Sequence, residues 1–244
     1  MTEVTFEQAR VDKSLRQPYC DQFLAEHPHL FVERVVYDPA QAHFRGWVDG
    51  LLAKGLLSKR AHAEAMYGVL SVVPEMFVPW AHIEQMGKGE KVPVFVSHLP
   101  FDCYTVDGFE NTLRNHEYVH AVDFCQGIVV GNERLDHANY GQVFPTIAIS
   151  FVEMRACASE LQGAAERGFP SLTRDPRHYS YNRLLQRMHI YAGHLSEESS
   201  GINMRRGKIC TPLEGKIAAA GLDLFWNTKE LRKQASSKWS EVPE

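Results

Sequence analysis

Over residues 1–80 apolar and polar positions alternate at helical spacing, which predicts a helical N-terminal portion. Thr5 stands where it can cap a first helix. Asp38-Pro39 offers a cap and a first-turn proline for a segment reaching about Lys54. Ser58 can cap the next helix, with Ala61, Ala63, Met66, Val69 and Leu70 on its apolar stripe, and Pro74 and Pro79 end the pattern. Residues 92–99 change period: Val94, Phe95 and Val96 favour a strand, Pro93 suits its start or a sheet edge, and Pro100 closes it.

A helix is expected over about 108–126, capped by the Asp107-x-x-Glu110 arrangement and packed through Phe109, Leu113, Val119 and Val122. Residues 131–142 have the glycines and polar side chains of a loop. Pro145 opens a further helix, Asp175-Pro176 precedes another bearing Leu184, Leu185 and Met188, and Thr211-Pro212-Leu213-Glu214 is a capping box that starts the last. That helix should run beyond Ala220 despite Gly221, and the final twelve residues read as a frayed tail. There is no internal repeat. The expected fold class is α+β, mostly helical with a small mixed or antiparallel sheet. We expect one domain over 1–244, with a helical portion 1–80 and a motif-bearing core 90–230.

A chain of 244 residues, 44% of them hydrophobic, can bury a large core without disulfides. The net charge of -4 and pI near 6.3 give no basic surface for nucleic acid. The five cysteines (Cys20, Cys103, Cys125, Cys157 and Cys210) form no C-x-x-C pair and suit a reducing compartment, with Cys125 and Cys157 read as small buried side chains. The polar start argues against a signal peptide, and no run of about 20 apolar residues predicts a transmembrane anchor. The cytoplasm is the expected location, with export by a route that needs no signal peptide as the alternative.

The chemistry is concentrated at His116-Glu117-Tyr118-Val119-His120. On a helix, residues four apart lie about 40° apart and about 6 Å along the axis, so both imidazoles can meet one ion. Zinc commonly takes three protein ligands and keeps a fourth position open. Glu153, on the next expected helix, is the preferred third ligand, since two antiparallel helices would set it opposite the histidines. Glu117 is the candidate general base. Asp123, seven residues after His116, competes for the ligand role but is better placed to orient an imidazole or to pair with Arg155. Arg155 can support either Glu153 or Asp123. Two helix-surface histidines salt-bridged to Glu117 would leave the same five letters.

HEYVHAVDFC followed by FVEMRACASEL is similar to the Atp23-type metallopeptidases of the mitochondrial inner membrane. That family carries H-E-x-x-H, a nearby Asp and a later Glu-hydrophobic-Arg-Ala segment. The matching residues are His116, Glu117, His120, Asp123, Glu153, Arg155 and Ala156. The resemblance covers about 45 residues and implies a zincin fold, bound Zn2+ and Glu117 as general base. The stretch between the segments is longer here and the family's additional cysteines are absent, so mitochondrial placement and subunit processing are not implied.

A protein or peptide substrate is expected, held as an extended strand against an edge formed by residues 92–99, near His98. Amide hydrolysis needs a donor facing the developing oxyanion. Tyr140, His178, Tyr179, His189, Tyr191 and His194 are the candidates, and Tyr179 and His189 are taken forward as catalytic. Two other classes compete. A carboxylate-bridged di-iron bundle would use Glu117-x-x-His120 and Glu153, but lacks a second Glu-x-x-His and must borrow Glu110, Glu160 or His137. A non-catalytic helical interaction protein would leave both histidines on the surface.

Overall fold

A computed structural model describes residues 3–71, 76–78, 84, 86–174, 180–199, 202–203 and 208–239. Pro74, Pro79, Asp175, Pro176, His178 and Tyr179 lie outside them, as do the side chains of Val69 and Leu70.

The fold is predominantly helical with a small mixed sheet. Thr5 closes a capping box on α1 (Phe6–Val11), which leads into α2 (Arg16–Glu26). The N-terminal portion is not wholly helical: Val35–Tyr37 forms β1, too short to leave a period in the sequence. Next come α3 (Ala42–Ala53) and α4 (Lys59–Ser71), and Ser58 caps α4 by accepting from Ala61 N at 3.1 Å. Asp38 does accept a helix N–H, from Phe44 at 2.7 Å, but α3 starts later than expected because Gln41 takes a left-handed turn (φ 57°).

Strands β2 (Met76–Phe77) and β3 (Val94–Val96) complete a three-stranded sheet in the order β1-β3-β2. Val35, Val36 and Tyr37 run parallel to Val94, Phe95 and Val96, whereas Met76 and Phe77 pair antiparallel with Val96 and Phe95. This corrects the expected edge: residues 94–96 form the centre, and all three side chains are buried. Alternation splits the sheet between two clusters. Val36, Phe95 and Phe77 pack with Phe44, Val48 and Leu51 of α3; Val35, Val94, Val96 and Met76 face the main core.

Next follow α5 (Leu99–Cys103), α6 (Val106–Asn111), a π-turn over Thr112–Glu117 and α7 (Tyr118–Gln126). The cap of α6 is Thr105, accepting from Gly108 N at 3.0 Å, rather than Asp107. The expected loop contains half of a hairpin: β4 (Ile128–Val130) and β5 (Glu133–Leu135) join through Gly131 at φ 63°.

The long helix α8 (Pro145–Glu166) begins at its proline and is buried along much of its length. Against it pack α9 (Tyr181–Ser199), α10 (Pro212–Asn227) and the π-turn. Thr211 and Glu214 form the expected capping box, and Glu214 also accepts from Phe144 N at 2.8 Å, tying the starts of α8 and α10 together. Gly221 lets α10 approach α9, since a Cβ there would lie 2.5 Å from Leu195 Cδ1. Between α9 and α10 a short pair, β6 (Ile202–Asn203) and β7 (Lys208–Ile209), closes on itself. The expected tail is instead largely helical: α11 (Lys229–Trp239) buries Ala235 completely. No described helix is long and apolar enough to cross a membrane.

Candidate metal centre

The H-E-x-x-H segment spans the junction of the π-turn and α7. A π-turn is wider than an α-turn and recurs at functional sites. Here its polar residues, with Asn111 at the end of α6, line the contact with α8. Asn111 Nδ2 donates to the Glu160 backbone carbonyl at 3.0 Å, and Thr112 Oγ1 donates to Glu160 Oε1 at 3.1 Å. Asn115 Nδ2 donates to Asn111 Oδ1 at 2.8 Å. Close approach requires Gly163: a Cβ there would sit 2.1 Å from Asn115 Nδ2.

His116 Nδ1 lies 3.0 Å from Glu160 Oε2, and Glu160 is fully buried. That pairing points Nδ1–H at Glu160 and turns Nε2 toward Glu153 and His120, where an ion would displace any proton it carries. Burial opposes charge on the His116 ring, but hydrogen bonds with Cys157 and Glu160 outweigh it and hold its pKa well above the usual histidine value. Burial pushes the Cys157 thiol up, against the pull of His116. Cys157 is therefore buried, as expected, and also touches the site. His120 differs. Its Nδ1 is buried with no hydrogen-bond partner among the described residues, and burial lowers its pKa to about 4.

Glu153 comes from α8, opposite both rings. Its Oε1 is 3.5 Å from His120 Nε2 and its Oε2 is 3.8 Å from His116 Nε2, while the two Nε2 atoms are 3.3 Å apart. Zinc with bonds of about 2.0–2.2 Å in tetrahedral array sets ligand atoms about 3.4 Å apart, so the observed spacing fits one ion. Two imidazole nitrogens and a carboxylate oxygen are the donor chemistry zinc accepts, and His116, His120 and Glu153 form a potential metal-binding triad.

Glu117 is buried, and its Oε2 accepts from Val78 N, just beyond β2, at 3.1 Å. Burial raises its carboxyl to about 7; His116 opposes this, and Glu153 and Glu160 reinforce it. Asp123 turns from the triad to Arg155, which grips it through Nε and an Nη, each at 2.8 Å. Burial nevertheless raises the Asp123 pKa.

The oxyanion candidates separate. Tyr191 Oη donates to Glu153 Oε2 at 3.4 Å. Tyr140 feels the charge of Glu153, and burial with that charge raises its pKa. His189 instead packs its ring on Phe225 at 5.0 Å, with Nε2 3.3 Å from an Nη of Arg232. Two residues on a helix are about 200° apart, so when Tyr191 faces α8 its neighbour His189 faces away. His194 Nδ1 lies 3.3 Å from Ser150 Oγ. Of the residues the di-iron alternative would borrow, His137 bonds Met86 O at 2.8 Å, whereas Glu160 does reach the site, as the partner of His116.

Sequence reasoning missed that role of Glu160. Its signal was available: Glu160 follows Glu153 by seven residues, which on an α-helix returns to within about 20° of the same face. No family model, curated protein or solved structure matches the chain, so its likeness to the mitochondrial metallopeptidases stands on the two motif segments alone.

Proposed function

We propose that the protein hydrolyses peptide bonds with zinc held by His116, His120 and Glu153. The observation that carries this reading is the convergence of three donor atoms from two helices, with Glu160 fixing the tautomer of one imidazole. Bound there, zinc would supply the Lewis acidity that makes water a nucleophile near neutral pH and polarises a carbonyl. Glu117 Oε2 is held by Val78 N–H, leaving Oε1 to take the proton from the attacking water and pass it to the leaving amine. Arg155 neutralises Asp123 beside the site and braces α7 against α8.

Because β2 ends the sheet among the described residues, a peptide added along it would run toward Glu117. Strand addition grips backbone rather than sequence, consistent with a protein or peptide substrate. Cys20, Cys125 and Cys157 are buried thiols, which supports a reducing compartment such as the cytoplasm. The test is hydrolysis of a fluorogenic peptide library by the zinc-loaded protein and by Glu117→Gln. We expect cleavage by the first and none by the second, with equal zinc content. Equal cleavage by both, or none by zinc-loaded protein, would refute the hydrolase reading.

A further inference from the structure

We propose that Tyr191 is the hydroxyl that donates to the oxyanion formed on the substrate carbonyl, its bond to Glu153 being the resting position of that donor. The proposal rests on the hydrolase reading above. On α9 the fully buried Leu184, Met188 and Leu195 mark the stripe facing the core. Tyr191 falls three residues after Met188 and four before Leu195, so it shares that side. Packing alone would be met by phenylalanine; the hydroxyl is a polar addition.

The direction of approach favours the same residue. The side chains of His116 and His120 are 8% exposed and Glu160 is 0%, whereas Glu153 is 19% exposed. The cluster therefore reaches solvent mainly through Glu153, and a substrate arriving there meets Tyr191. The hydroxyl bonds Oε2, the oxygen farther from its histidine (3.8 against 3.5 Å). At 3.4 Å that bond is longer than the usual O–H···O range of about 2.5–3.0 Å. The phenol is thus loosely held and can turn to a better acceptor, and an oxyanion is one.

The experiment uses the full chain loaded with Co2+, whose visible spectrum reports the site, titrated with methylphosphonate as a tetrahedral oxyanion probe. We expect Tyr191→Phe to bind cobalt within about threefold of the parent but to need at least about tenfold more methylphosphonate for the same spectral change. Tyr140→Phe, which removes a second phenol near Glu153, should match the parent. An unchanged methylphosphonate response in Tyr191→Phe would overturn the proposal. So would a cobalt affinity that falls as far, since Tyr191 would then only prop Glu153. A parent that binds cobalt and ignores methylphosphonate also overturns it, whereas a parent that binds no cobalt removes the hydrolase reading itself.

Discussion

The two faces of the three-stranded sheet meet very different layers. On one, Phe44, Phe77 and Phe95 lock together with ring centroids 5.4–5.6 Å apart, packed with Val36, Val48 and Leu51. On the other, Val35, Val94, Val96 and Met76 join the main core, and β2 also touches the π-turn, whose neighbourhood buries Asn111, Thr112, His116, Glu117, His120 and Asp123. The aromatic layer gains stability from every atom it buries. The polar layer must offset the desolvation of several ionisable groups, and a buried ion pair is weak evidence for stability. Its retention makes sense if those groups serve a metal.

Substitutions should therefore break the two layers in different currencies. The largest effect is expected from Phe44→Ala, fully buried in the aromatic layer: about 3–5 kcal/mol of unfolding free energy in a denaturant titration, with zinc affinity unchanged. Altered zinc affinity would mean the layers are coupled. Gly163→Ala should cost about 1–3 kcal/mol by forcing α8 from Asn115, and should weaken zinc as well. Zinc binding as tight as the parent's would show that the close helix approach is not needed.

Glu160→Gln sharpens the contrast, because it keeps the volume and can still accept from Thr112 while losing the charge facing His116. We expect zinc affinity, measured by chelator competition, to fall about 10–100-fold, with a smaller loss of metal-free stability than Phe44→Ala produces. The reverse order would make Glu160 a structural residue. The smallest effect belongs to Arg60→Ala, which removes an exposed pair with Glu64 and should leave both the denaturation midpoint and zinc affinity at the parent's values.

Local chemistry made part of this legible in advance. Thr5, Ser58 and Thr211 start helices where their hydroxyls can accept a backbone N–H, and Pro145 opens α8 because its fixed φ suits the first turn. His116, His120 and Glu153 were legible because four-residue spacing and a following helix determine the approach. What stayed hidden depends on distant partners. Val94–Val96 reads as an edge until β1 and β2 flank it, and the 233–239 segment reads as a tail until Ala235 is buried. The seven-residue spacing puts Glu160 on the face of Glu153, but its bond to His116 shows only when α8 meets the π-turn, and the choice between His189 and Tyr191 needs the face of α9 that meets α8.

Everything proposed for the polar layer depends on a single zinc site made by two imidazoles and one carboxylate. Its most direct test is elemental analysis of metal per chain in untagged protein, read beside His120→Ala after zinc titration of both folded proteins. About one zinc ion per parent chain is expected, with loss of that site in the variant. No metal in the folded, zinc-titrated parent, about two irons per chain, or equal zinc in both proteins would contradict it.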